Sequence, residues 1–168
     1  ASLEAACLEN TRAVVLVNPN NPTGSVLYRE EMDTLVRFCA ERELALISDE
    51  VFYDYALEDS DQLPADREDY VSALAAGNEA LVFTLGGFSK MLALPQLKLG
   101  WTITNGPDTL VNAALERLDL IADTYLSVNT PVQHGLAHYM ADPTPHLELP
   151  AFYQRKRDLF LAGLRRTR

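Results

Sequence analysis

Two cysteines and fourteen basic residues are all that this chain of 168 residues offers to disulfide chemistry and to polyanions. Cys7 and Cys39 are too few for a disulfide framework, and Cys39 falls on an apolar helix face, so a reduced, cytoplasmic setting is expected. The 14 Lys and Arg stand against 24 Asp and Glu, a formal charge of −10. That balance argues against nucleic acid or an anionic membrane as partner, since both need clustered cations. The one basic cluster, Arg155-Lys156-Arg157 with Arg165, Arg166 and Arg168, reads as the solvated side of a helix or a weak anion site. No apolar run approaches the roughly 18 residues of a membrane span. Residues 1–6 lack the basic flank and apolar run of a signal peptide. Repeats and low-complexity tracts are missing too. With 48% apolar residues, the chain is rich enough in them for one packed core.

What is present has a clear order. Ala13–Val17 is a β-branched run without polar alternation, which predicts a strand buried on both faces. Asn18-Pro19-Asn20-Asn21-Pro22-Thr23-Gly24 is dense in turn formers. Met32, Leu35, Val36 and Cys39 recur at helical spacing behind the acids Glu30, Glu31 and Asp33. Leu44–Ile47 predicts a second strand, closing a βαβ unit. Residues 57–79 read as an excursion loop with a short helix around 67–76. Leu81–Leu85 predicts a third strand and Leu97–Thr104 a fourth. Helices follow over Thr109–Ala122, with Asp108 as N-cap, over Pro131–Met140 and over Pro150–Leu164. The pattern is α/β, a mainly parallel sheet with helices on both faces, ending in helices. Pro143 and Pro145 mark the best boundary, giving segments 1–142 and 143–168.

In open α/β sheets, ligands gather beyond the carboxyl ends of the strands. Three such ends here carry polar groups. Lys90, in Gly86-Gly87-Phe88-Ser89-Lys90, has an amine able to condense with an aldehyde cofactor when partly desolvated. Taken alone it is an ordinary surface lysine on a glycine loop. A phosphate-cradling P-loop is excluded, because Ser89 precedes the lysine and Met91 follows it. Asp49 ends the second strand, where a carboxylate can pair with a protonated ring nitrogen or simply serve a turn. Glu50 beside it raises a metal site, but His and Cys at ligand spacing are lacking. His134 and His138 share a helix face without a third ligand. Asn21 has an amide able to donate to a phenolate oxygen, or to act in the turn alone. Trp101 reads as core packing.

Together, Asn21-Pro22-Thr23-Gly24, Asp49, Ser89-Lys90 and Leu97-Lys98-Leu99-Gly100-Trp101 resemble the fold-type-I aminotransferases of the aspartate aminotransferase superfamily, in order and approximate spacing. The likeness runs through about the first 140 residues. It implies the C-terminal half of a cofactor-binding large domain over 1–142, and over 143–168 the start of a long helix toward a small domain. It implies pyridoxal 5'-phosphate as cofactor and an amino acid and a 2-oxo acid as substrates. A homodimer is implied for the full-length protein. By resemblance, Lys90 is the Schiff-base lysine and proton shuttle, Asp49 the partner of the ring nitrogen, and Asn21 the donor to the ring oxygen. Ser89 and Lys98 fall where the family binds phosphate. The remaining phosphate cradle, the stacking aromatic ring and the arginine for the substrate carboxylate are expected outside these residues, so this chain by itself is expected to be inactive.

Three positions depart from the family pattern. Phe52 stands where a tyrosine usually donates to the ring oxygen, and Tyr53 is expected on the opposite side if the stretch is extended. Lys98 replaces an arginine, keeping the charge and losing the bidentate fork. Gly87 replaces a phosphate-binding serine. Tyr125, Ser127 and Asn129 lie where relatives can reach the neighbouring subunit. A lyase of the same fold, or a degenerate module without catalysis, remain the alternatives.

Overall fold

The computed structural model describes residues 2–55, 70–126 and 128–167. Four strands, β1 (Ala13–Val17), β2 (Ala45–Asp49), β3 (Val82–Gly87) and β4 (Gly100–Asn105), form one sheet in the order β1-β2-β3-β4. The first three are parallel, and β4 runs antiparallel to β3. The helices are α1 (Ser2–Ala6), α2 (Arg29–Glu41), α3 (Phe88–Met91), α4 (Asp108–Tyr125), α5 (Thr130–Ala141) and α6 (Thr144–Arg166). This is the α/β class with a mainly parallel sheet.

The helix α2 forms because its apolar residues repeat at helical spacing and its first turn is acidic, where the helix dipole favours negative charge. Glu31 Oε2 also accepts from the Tyr28 backbone N–H at 3.0 Å, satisfying a donor at the helix start. Its buried face, Met32, Val36 and Cys39, meets Leu46 and Val82 of the sheet. Val14 and Leu16 of β1 pack against the same core, whereas Val15, on the alternate face, is 69% exposed. The expectation that β1 is buried on both faces is therefore corrected. Successive side chains alternate between faces, and among the described residues nothing shields Val15.

Other boundaries shift for local reasons. The strand expected from Leu97 begins only at Gly100, because Pro95–Leu97 form a 3₁₀ turn and Lys98 is left-handed, with φ 53°. Gly86 and Gly87 belong to β3, so Lys90 rides on the one-turn helix α3 and not on a glycine loop. Asp108 is the first residue of α4, after Pro107 at the cap position. The last helix starts six residues before Pro150, at Thr144, and carries that proline inside it. Residues 56–69 lie outside the described residues, including most of the expected excursion. Of the short helix expected around 67–76, residues 70–76 contain a 3₁₀ turn at Ala73–Ala75.

Candidate active site

The site is built where β2 and β3 end side by side. The ladder continues past β2, since the Glu50 N–H donates to Leu85 O and the Asn18 N–H to Asp49 O, both at 2.9 Å. Glu50 then turns inward. Its Oε1 accepts from Ser48 Oγ at 2.9 Å and from the Ala73 N–H at 2.8 Å. This buried carboxylate is a structural clamp between the strand end and the turn at 73–75, with its charge met by two donors. Asp49 points to the other side of the strand and is half-buried. Its Oδ1 accepts from the Val51 N–H at 3.1 Å, so it does serve a turn. Its second oxygen makes no hydrogen bond among the described residues.

Beyond Val51 the chain winds into a 3₁₀ turn, Tyr53–Tyr55, rather than running extended. A helical turn brings residues three apart onto one side. Phe52 and Tyr55 accordingly meet edge to face with centroids 6.3 Å apart, while Tyr53 stacks on Tyr70 at 4.8 Å. Tyr53 thus does lie away from Phe52, but through a turn and not through strand alternation. Burial, then the nearby Glu50 carboxylate, pushes the Tyr53 phenol pKa up.

On the neighbouring strand, two glycines let other groups approach. A Cβ on Gly86 would meet the Trp101 indole at 2.5 Å, so the ring lies over that glycine. Trp101 also contacts Phe88 edge to face at 5.5 Å and remains 37% exposed, a cover over the strand end and not a core residue. A Cβ on Gly87 would sit 3.0 Å from Leu99 O and 3.2 Å from Gly100 Cα. A serine at this departure from the family pattern would therefore press on backbone, which would have to give by a few tenths of an ångström.

Lys90 follows on α3. Its Nζ lies 5.3 Å from the Phe52 ring centroid, within cation–π range, and no carboxylate among the described residues pairs with it. The Lys90 carbonyl accepts from the Tyr55 hydroxyl at 2.6 Å and from the Ala93 N–H at 3.1 Å. A cleft of about 530 Å³ opens here, lined by Phe52, Tyr55, Ser89, Lys90, Ala93, Pro95 and Tyr153. Of the residues singled out from sequence, Phe52, Ser89 and Lys90 share this cleft, and Asp49 ends the adjoining strand. Lys98 is exposed and outside the cleft lining. Asn21 is exposed in its turn, which Asn18 fixes from below. Fully buried, Asn18 accepts from the Leu27 N–H at 3.0 Å and donates to Val71 O at 3.4 Å.

Tyr55 and Tyr153 are cleft residues that sequence reasoning missed. The i, i+3 spacing of Phe52 and Tyr55 was the available signal, hidden by treating the stretch as extended. Asn129 caps α5, accepting from the Val132 N–H at 3.0 Å, and Tyr125 is exposed, whereas Ser127 lies outside the described residues. The described residues contain no cluster of three or more His, Cys, Asp or Glu placed to hold a metal, and His134 and His138 stay without a third ligand. No helix among them is long and apolar enough to cross a membrane.

An accessible amine facing a ring, a carboxylate oxygen on the next strand without a partner among the described residues, and a hydroxyl beside the amine form a set suited to a pyridine aldehyde. Of pyridoxal phosphate, the Lys90 amine in the cleft suits the aldehyde end, and Asp49, outside the cleft lining on the adjoining strand, carries the carboxylate that suits a ring nitrogen. For its phosphate, Ser89 is the group in the cleft.

The family described as aminotransferase class I and II matches residues 1–168. The glutamate-pyruvate aminotransferase AlaA of Haemophilus influenzae is 34% identical over 134 residues, covering 80% of this chain and 31% of that protein. An alanine aminotransferase of Mycobacterium tuberculosis is 30% identical over 136 residues, covering 81% and 30%. Among solved structures, an Escherichia coli aminotransferase superposes with a TM-score of 0.64 at 31% identity, over 79% of this chain and 31% of that one. Alanine aminotransferase from Pyrococcus furiosus shares the fold, with a TM-score of 0.75 at 24% identity over 94% and 38%. The chain spans about a third of the length of the curated relatives it matches. On these matches, the chain belongs to the class I and II aminotransferase family.

Proposed function

We propose that this chain carries the lysine and the ring-nitrogen partner of a pyridoxal-phosphate-dependent aminotransferase, acting on an amino acid and a 2-oxo acid. The observation that carries the reading is Lys90, an amine over Phe52 that pairs with no carboxylate among the described residues, beside a strand end that bears Asp49. When bound, pyridoxal phosphate supplies an aldehyde that takes up the amino group and a ring that accepts the electron pair left at the substrate α-carbon.

The chain's own residues then have separate tasks. Lys90 Nζ would hold the aldehyde end and move a proton to and from the α-carbon. The second oxygen of Asp49 would accept from the ring nitrogen and keep it protonated. Ser89 Oγ, and Lys98 if its side chain swings toward the cleft, would bind phosphate. Asn21 would donate to the ring oxygen from its turn. Phe52 offers the amine a ring face and no donor. In this reading, α6 is the start of the link toward a second, smaller domain, and the active protein is a cytoplasmic homodimer.

The test is borohydride reduction of the protein incubated with pyridoxal phosphate, followed by peptide mass mapping. A reduced pyridoxyl group on Lys90 is expected. Its absence, or modification only of other lysines, overturns the reading.

A further inference from the structure

The turn that carries Lys90 is held by more than its own helix. α3 is only one turn long, and it is followed by Ala93 in a left-handed conformation, φ 53°, which a residue with a Cβ adopts at a cost. A reactive amine on so short and strained a support needs an outside brace. Besides the Leu92 N–H at the helix cap, two groups meet the Lys90 carbonyl. One is local, the Ala93 N–H at 3.1 Å. The other comes from a different strand end, the Tyr55 hydroxyl at 2.6 Å, within the normal range for an O–H···O bond.

Tyr55 is in turn held from behind. Its ring meets Tyr153 of α6 edge to face at 5.6 Å and Phe52 at 6.3 Å. His146 of α6 also approaches the same turn, with Nε2 3.8 Å from Asp54 Oδ1. Both rings that flank Tyr55 also line the cleft. Tyr53, two residues earlier, offers the same chemistry but faces Tyr70 instead. We propose that Tyr55 is a positioning residue that fixes the backbone of Lys90 and thereby aims its amine across Phe52 into the cleft, with Tyr153 holding Tyr55 in place. Position 52 thus lacks a phenol, and the phenol at 55 acts on the lysine's own main chain. Burial, then Tyr153 and Asp54, pushes the Tyr55 pKa up, so the hydroxyl keeps the proton that it donates.

The inference rests on the aminotransferase reading for its consequence, though not for its geometry. Tyr55→Phe keeps the ring and removes only the donor. The probe is pyridoxal phosphate itself, quenched with borohydride at timed intervals and mapped by peptide. Capture condenses the neutral amine with the aldehyde and releases one water, and borohydride supplies the hydride that makes the bond permanent. Capture on Lys90 is expected to slow roughly three- to tenfold, the size of one lost neutral hydrogen bond. Capture on Lys156, in the middle of α6 and outside the cleft lining, should stay unchanged. Tyr153→Ala should give a smaller slowing in the same direction, and Tyr53→Phe none. Equal rates on Lys90 in Tyr55→Phe and the unsubstituted protein overturn the proposal. A second readout is hydrogen exchange of the Ala93 amide, which shares the Lys90 carbonyl and should quicken in Tyr55→Phe with or without the cofactor. Were the unsubstituted protein to form no adduct on Lys90, the aminotransferase reading would fail, and unchanged exchange at Ala93 would separately overturn the role of Tyr55.

Discussion

The two halves of this molecule treat their apolar residues in opposite ways. In the βαβ half, Met32, Cys39, Leu46 and Val82 are wholly buried, and α2 closes one face of the sheet. In the helical half, α4 buries only Ala114, α5 only Val132 and α6 nothing. There Leu120, Leu159 and Phe160 are each at least 66% exposed. The difference teaches where the chain's own stability resides, because apolar burial is the main favourable term in folding. It also explains the placement of the site. Lys90 stands after β3, on the border between the closed core and the open helices, and Tyr55 and Tyr153 tie that border together.

The largest test of this contrast is one truncation on each side. Leu46→Ala should destabilise the chain by about 2–5 kcal/mol, the usual cost of a cavity in a packed core. Phe160→Ala should change it by less than about 0.5 kcal/mol, since the ring is already in solvent. Urea unfolding of both variants checks this, and equal losses would mean that the helical half has a core of its own.

The neighbouring acids sharpen the comparison within the closed half. Glu50→Ala leaves Ser48 Oγ and the Ala73 N–H buried without an acceptor. At about 1–3 kcal/mol for each such group, the loss should be plain in thermal melting. Asp49→Asn should change melting little, because Asp49 makes one turn contact and is half-buried. Its effect should instead appear as weaker retention of pyridoxal phosphate, followed by absorbance. The acid next to the proposed cofactor partner would then be the one that the fold needs most.

Much of this organisation is readable in the sequence, for physical reasons that differ by element. The apolar run at 13–17 and the helical spacing of Met32, Val36 and Cys39 are set by burial, which leaves a periodic trace. The places of Lys90 and Asp49 at strand ends were legible because a buried apolar run leads to each. Lys98 and Tyr55 were not. Lys98 leaves the strand through a left-handed residue after Pro95–Leu97, and apolar patterning carries no signal of that. Tyr55 reaches Lys90 only because residues 53–55 wind into a 3₁₀ turn, and strand alternation carries no signal of that. The exposure of Val15 was hidden for another reason: a continuous apolar run specifies what a strand could bury, not what arrives to cover it.

Cys39 tests the closed half through pH. Burial, then the neighbouring Cys7, raises its thiol from 9.0 to about 11. The folded state therefore holds this proton more tightly than the unfolded state. The associated stability is fully present below pH 9 and is lost as pH climbs toward 11. Its size is on the order of 2 kcal/mol. Melting across that window should fall steeply in the parent chain and less steeply in Cys39→Ala. Equal slopes would show that the thiol is not desolvated.

The smallest effects come from adding one methyl group on each side of the border, and they should have opposite signs. A Cβ on Gly87 meets backbone at 3.0 Å and 3.2 Å, so β3 and β4 must part slightly to admit it. Gly87→Ala should cost about 1 kcal/mol, the low end for overpacking. Gly163, inside α6, has nothing within 4 Å of its would-be Cβ. Gly163→Ala adds a better helix former with no clash and should stabilise by roughly 0.5–1 kcal/mol, less any fraying near the helix end. That gain requires α6 to be folded and its outer side to be open. A loss at Gly163 would place a close neighbour against α6 in solution, and the contrast between a closed and an open half would then fail at its open end.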